Sequence, residues 1–359
     1  MRFAVLSSIL TLTPAVLADW HIAKGREIEY SSVEGFFLQD NSSTDAASFD
    51  YANWNFGLIN RTYTTDPKHK SEGYKDGYKT QWERFEKYLN HLNRKAPSDT
   101  QYKVLVMGRH GEGWHNAAET YYGTPAWNTG NGTATWQDAL LTDAGLKEAR
   151  KANAYFRSRF EDHGMPYFGS YYTSPLARCV ITARETFASL RLPRGFRPTV
   201  KESFREGVSI HTCDHRSSRA YIASLSEGIA FERGFADVDA LWTGVEGETA
   251  EHQLARSRAA LDDVFVRDDA VWVSITSHSG EIGKLLAALN HRAFRLATGQ
   301  IIPVLVKAKL VRREPTATYV SWTTEATCRA PPVTSVAGQG CVCSSGTATL
   351  ASTAATTTT

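Results

Sequence analysis

The chain has 359 residues, room for one large or two ordinary domains, and 42% of them are hydrophobic, enough to bury a sizeable core. Lys and Arg number 40 against 38 Asp and Glu, so the formal charge is only +2. No dense basic tract occurs either, which excludes a partner recognised by bulk charge, whether nucleic acid or an anionic membrane.

Residues 1–18 read as a separate unit. Met1-Arg2 is a short positive start, residues 3–17 are mostly apolar, and Val16-Leu17-Ala18 offers the small residues of a signal-peptidase site. The expectation is a secretory signal, a secreted chain beginning at Asp19, and no later membrane span. Three Asn-x-Ser/Thr triplets, at Asn41, Asn60 and Asn131, fit N-glycosylation on an exported protein.

Residues 19–100 are rich in Tyr, Trp, Asp and Asn with little periodicity, and are expected to pack as an extension on a larger domain. Within them, Gly35-Phe-Phe-Leu and Asn53-Trp-Asn-Phe-Gly suggest extended segments held by aromatics. Residues 79–94 carry Trp82, Phe85, Tyr88, Leu89 and Leu92 at helical spacing.

Residues 104–107 (Val-Leu-Val-Met) form a short apolar run that suits a strand buried on both faces. It ends on Gly108-Arg109-His110-Gly111. A strand ending on a cation, an imidazole and glycines places them at the carboxyl edge of a sheet, where open α/β folds hold ligands. Arginine beside histidine suits phosphoryl transfer: imidazole attacks phosphorus and guanidinium neutralises the oxygens.

Beyond this point apolar strands alternate with amphipathic helices. A helix over 143–161 is capped by Thr142, a strand covers 170–173, and a helix over 175–190 starts at Pro175. A strand over 199–204, helices near 216–226 and 249–267, a strand over 271–275, a helix over 281–289 and a strand over 301–310 complete the series. The pattern predicts an α/β domain over 101–314: three layers, α/β/α, around a mostly parallel sheet. Residues 315–359 are Ser/Thr-rich with Pro331-Pro332, and are expected to be a disordered tail open to O-glycosylation.

Three further groups stand at predicted strand ends. Ser174-Pro175-Leu-Ala-Arg178 combines a helix start with a guanidinium, a pairing suited to an anion. Thr276-Ser277-His278-Ser279-Gly280 brings a second histidine, and Glu202-Ser-Phe-Arg205-Glu206 brings carboxylates. Five cysteines, Cys179, Cys213, Cys328, Cys341 and Cys343, match no zinc spacing; their odd number leaves at least one free or paired between chains, and a bridge from the tail pair to Cys328 is one arrangement.

In order and content these groups resemble the histidine phosphatase superfamily, also called phosphoglycerate mutase-like. The resemblance covers roughly 100–310 and rests on Arg109-His110-Gly111 with Asn116, Leu141-Thr142-Asp-Ala-Gly145-Leu-Lys-Glu-Ala149, Ser174-Pro-Leu-Ala-Arg178, Phe204-Arg-Glu206 and Ser277-His278-Ser-Gly280. Val33-Glu-Gly-Phe-Phe through Asn55-Phe-Gly-Leu, Gln81-Trp-Glu-Arg-Phe and His211-Thr-Cys-Asp214-His-Arg216 are similar to its fungal branch. The resemblance implies a phosphoglycerate mutase-like fold with residues 19–100 as a family extension.

It also implies roles. His110 would become a phosphohistidine, and Arg109, Arg178 and His278, with Asn116, would hold the phosphoryl oxygens. Glu206 would be the general acid, with Glu202 the rival. His211, Asp214, His215 and Arg216 would line the substrate side or form a structural network. In the acid-phosphatase and phytase branch a His-Asp pair stands where His278-Ser279 stands here, which argues against that branch. The expected partner is a small phosphorylated molecule, and the chemistry calls on no metal or cofactor. A secreted phosphomonoesterase is the first expectation; a phosphoglycerate mutase and an inactive binding protein are the alternatives.

Overall fold

A computed structural model describes residues 25–67, 79–123, 136–313 and 321–324, with four residue pairs in the C-terminal segment at 326–327, 334–335, 341–342 and 349–350. The leader at 1–18, the Asn131 triplet, Cys328, Cys343 and the side chain of Cys341 lie outside the described residues.

In chain order the main elements are strand β1 (Arg26–Ser32), helix α1 (Gln81–Lys95), β2 (Thr100–Arg109), α2 (Trp114–Tyr122), α3 (Asp143–Asp162), β3 (Ser170–Thr173), α4 (Ala177–Phe187) and β4 (Pro198–Val200). They continue with α5 (Arg219–Ser224), β5 (Ala230–Phe231), β6 (Glu246–Glu248), α6 (Ala250–Arg267), β7 (Trp272–Ser277), α7 (Ser279–Ala288), β8 (Ile301–Arg312) and β9 (Trp322–Thr324). Seven strands form one sheet in the order β1-β8-β2-β7-β3-β4-β5. Only β8 runs against the rest, pairing antiparallel with β1 and β2, while β2, β7, β3, β4 and β5 are parallel. The fold is a mostly parallel α/β sheet, as the alternating pattern predicts.

Val104 to Met107 are buried without a break, because both faces of the sheet are covered. On one face Val106, Gly108, Ser274 and Thr276 meet α3 and α4, and Trp272 packs edge-on to Phe85 of α1 at 5.7 Å. On the other, the Lys103 ammonium lies over the Phe265 ring of α6, 5.5 Å from its centre. Local chemistry sets the helix starts. Thr142 and Thr249 cap α3 and α6, and Thr80 with Glu83 forms a reciprocal capping box on α1.

Three differences from the sequence reading have physical causes. First, the extension is not only packed on the domain: β1 is a strand of the sheet, and Ile28, Tyr30, Phe37, Phe56 and Trp82 share one core with β2 and β7. Second, the strand predicted over 199–204 stops at Val200, and a 3-10 turn follows at Glu202–Phe204. Buried Lys201 ends it, its ammonium bonded to Glu232 at 3.1 Å and Asp263 at 2.5 Å. Third, the tail is not featureless: β9 pairs with β6, and the Trp322 ring lies 5.3 Å from His252. Among the described residues no helix is long and apolar enough to cross a membrane.

Candidate active site

The parallel register brings the strand ends together. Arg109 pairs with Ser277, Thr173 with Thr276 and Val200 with Thr173, so the residues that follow β2, β7, β3 and β4 emerge at one edge. There Arg109, His110, His115, Asn116, Glu119, Arg178, Glu206, Cys213, Asp214 and Ser279 line a cavity of about 190 Å³.

His110 sits at its base, 2% exposed. Its Nδ1 donates to the Gly111 carbonyl at 2.7 Å, which fixes the ring proton there and leaves the Nε2 lone pair free. Burial, with Arg178 and Arg109 beside it, holds this imidazole well below its usual range, so it stays neutral. Gly111 is required by a close approach of backbone to backbone: a Cβ there would lie 2.4 Å from the Gly145 carbonyl oxygen. The Gly111 N–H donates to Thr182 of α4 at 3.0 Å, and the Glu112 N–H donates to Glu148 of α3 at 2.8 Å. Both helices of one face therefore hold the loop.

The two guanidinium groups are fixed from behind. Arg109 Nη1 donates to the Leu296 carbonyl at 3.0 Å, and Arg178 Nη1 donates to the Cys213 carbonyl at 2.7 Å. Arg178 Nη2 lies 3.7 Å from Asp214, and Arg109 Nη2 makes no hydrogen bond among the described residues. Unsatisfied, rigidly held cationic donors in a cavity are suited to an anion. Asn116 turns its carbonyl back to the Gly113 N–H at 3.0 Å, starting α2.

His278 is fully buried, its ring 5.0 Å from that of His110 and its Nε2 2.7 Å from the Ser174 hydroxyl. Burial and Arg178 hold it well below its usual range as well. Glu206 is held at both oxygens, Oε1 by the Gly207 N–H and Oε2 by the Gly280 N–H in the first turn of α7, each at 3.0 Å. A Cβ on Gly280 would stand 2.3 Å from Oε1, so only glycine leaves room for this carboxylate.

The structure separates the remaining candidates. Glu202 does not line the cavity; it pairs with Arg205 and Arg216, each at 2.9 Å, and burial pushes its carboxyl up. Arg216 is likewise outside the cavity, bonded to Glu202, Ser217, Ala236 and Val238 and stacked over Phe235. It belongs to a structural network rather than the substrate side, as does His215, whose ring stacks on Trp242 at 4.4 Å. Asp214 does line the cavity, accepting from Ser209 at 2.6 Å, while His211 sits behind it with Nδ1 3.1 Å from the same hydroxyl. Cys179 and Cys213 are free and buried. Asn41 and Asn60 are exposed.

Two wall residues, His115 and Glu119, escaped the sequence reading. His115 is 8% exposed with its ring 5.5 Å from His110, and burial and Arg178 keep it neutral. Its position depends on α2, whose start is signalled only by Gly113 and Asn116 three residues apart.

A family model described as the histidine phosphatase superfamily (branch 1) matches residues 105–301. The chain belongs to this superfamily. Its members transfer phosphoryl groups, and the chain is a phosphoryl-transfer enzyme in that broad sense. A protein of Arthroderma benhamiae described as a "probable phosphoglycerate mutase" is 43% identical, covering 78% of this chain and 84% of its own. A "phosphomutase-like protein" of Candida albicans is 30% identical over 57% of this chain and 65% of its own. Among solved structures, a phosphoglycerate mutase of Bacillus anthracis is 15% identical, covers 63% of this chain and 93% of its own, and has a TM-score of 0.36.

Proposed function

We propose that this histidine phosphatase is an exported phosphomonoesterase that hydrolyses small phosphate esters through a phosphohistidine at His110. The observation that carries the reading is the neutral His110 ring, its Nδ1–H tied to Gly111 and its Nε2 free beside Arg109 and Arg178.

In the first step the Nε2 lone pair forms an N–P bond as the ester P–O bond breaks, and protonated Glu206 gives its proton to the leaving oxygen. Arg109, Arg178, His278 and Asn116 stabilise the equatorial oxygens as charge develops. In the second step water attacks phosphorus, the N–P bond breaks, the Glu206 carboxylate takes the water proton, and inorganic phosphate leaves. Exposure of Asn41 and Asn60, with the apolar leader, supports export.

Phosphoglycerate mutation is the second reading, favoured by the described activity of the Arthroderma benhamiae relative. The cavity wall weighs against it: Glu119, Asp214 and Glu206 face the two arginines, a poor setting for a substrate with its own carboxylate. Phosphate release from glycerol phosphate and from 3-phosphoglycerate, with isomerisation of the latter followed in parallel, separates the two. Release from glycerol phosphate that His110→Ala abolishes supports the phosphatase. Isomerisation without release would replace it with the mutase.

A further inference from the structure

Glu206 sits on a segment with little regular structure of its own. The 3-10 turn ends at Phe204, and between it and Arg219 there is only one further 3-10 turn, Thr212–Asp214. A proton donor must nevertheless be held to a fraction of an ångström, so its rigidity has to come from elsewhere. Arg205, buried, ties the segment to Glu202, Asp239 and the Asp214 carbonyl, and a second side chain grips its backbone from below. Arg256 of α6, with its side chain 8% exposed, reaches under the segment and donates to three of its carbonyls: Ser203 at 2.7 Å, Arg205 at 3.1 Å and Glu206 at 3.3 Å.

The same guanidinium is squared up by two carboxylates. Glu248 takes Nε and Nη2, both at 2.8 Å, and also accepts the Val208 N–H at 3.3 Å, so it grips the far end of the segment. Glu281 of α7 lies 3.2 Å from Nη1, and its other oxygen accepts from Ser257 at 2.8 Å. Glu281 directly follows Gly280, whose N–H holds the Glu206 carboxylate. One ion cluster thus ties down both the backbone that carries the acid and the helix turn that aims it. None of the three side chains lines the cavity.

We propose that Arg256, aligned by Glu248 and Glu281, is a positioning residue for proton delivery by Glu206, an inference that rests on the assignment of Glu206 as the acid. Lysine cannot reproduce the planar fork, because its ammonium cannot reach three carbonyls and two carboxylates in one plane.

The test is a series of phosphomonoesters whose leaving groups run from dinitrophenol to simple alcohols, read as kcat/KM to isolate the first step. Good leaving groups need no proton and poor ones do. Arg256→Lys is expected to lose about tenfold to hundredfold on alkyl phosphates and less than about threefold on dinitrophenyl phosphate. A structural role alone would lower all substrates by one factor, and that outcome, or no loss, overturns the proposal. Glu206→Gln is the control: if it fails to steepen the dependence, the acid assignment itself falls. If it steepens and Arg256→Lys does not, only the positioning role falls. Should Arg256→Lys not fold, Glu248→Gln keeps Arg256 and loosens its fork, and carries the same readout.

Discussion

The ring proton of His110 decides which atom can attack, and a single carbonyl, that of Gly111, decides the proton. Replacing His110 by alanine should remove the nucleophile while leaving the arginine pocket in place. Labelling with a radioactive phosphate ester and trapping the acid-labile phosphoenzyme should give no label for His110→Ala and a stoichiometric label for wild type; label surviving in the variant would place the nucleophile elsewhere. The two glutamates of the Glu202–Glu206 segment invite an opposite pair of outcomes. Glu206→Gln should slow turnover of poor leaving groups by about a hundredfold or more. Glu202→Gln removes the carboxylate partner of buried Arg216 and one of the two on buried Arg205, which keeps Asp239, so it should cost about 3 kcal/mol of stability in urea unfolding while the leaving-group dependence keeps its slope. A steeper slope for Glu202→Gln would exchange their roles. Arg109, His110, Arg178 and His278 were legible because each follows a strand, where sequence order marks the functional edge. His115 was not, because it sits on a short helix with a weak apolar pattern, and Arg216 could not be separated from the site because its carbonyl partners at 236 and 238 are invisible in its own motif.

At the level of elements, the functional loop is made by contact between two glycines rather than by the strand alone. Gly145, in the first turn of α3, would bring a Cβ to within 2.1 Å of the Glu112 carbonyl oxygen. Neither partner is a flexible side chain that can move aside, so Gly145→Ala must shift either the helix or the His110 loop. It should cost about 1 to 3 kcal/mol and lower kcat/KM for every substrate alike. Thr142→Ala removes the cap of the same helix and the hydroxyl's bond to the Glu112 carboxylate at 2.7 Å but crowds nothing, so it should cost about 1 kcal/mol with a smaller kinetic loss than Gly145→Ala. Equal kinetic loss in both would mean that helix stability, not loop placement, governs the site. The Leu141-to-Ala149 pattern marks this turn in the sequence. By contrast β1 was missed, although Glu27-Ile28-Glu29-Tyr30 alternates as an edge strand should, with Ile28 and Tyr30 buried. Four alternating positions amid an aromatic-rich, aperiodic stretch are a weak signal. The two-residue β5 carries no period at all.

Across the whole molecule, the catalytic edge gathers buried neutral histidines whose combined titration should dominate stability in mild acid. His110, His115 and His278 are each held well below the ordinary histidine value by burial and by Arg178, and burial lowers His211 in the same sense. Above pH 6.5 folded and unfolded chains are alike, both with neutral rings. As pH falls below 6.5 the unfolded chain takes up protons that the folded chain refuses, so each such histidine removes about 1.4 kcal/mol of stability per pH unit until its own lowered value is reached. Glu281 works the other way in direction: burial pushes its carboxyl up, against the pull of Arg256 toward the charged form. Burial pushes Glu86, Glu202 and Asp262 up in the same sense, so these acids offset part of the histidine effect. The expected net result is a fall in stability between pH 6 and 5, read from urea unfolding at fixed ionic strength. Replacing His115 by glutamine should make that slope shallower by about one histidine's share. A flat profile across this window would mean that the imidazoles are already protonated in the fold, and a protonated His110 could not attack phosphorus.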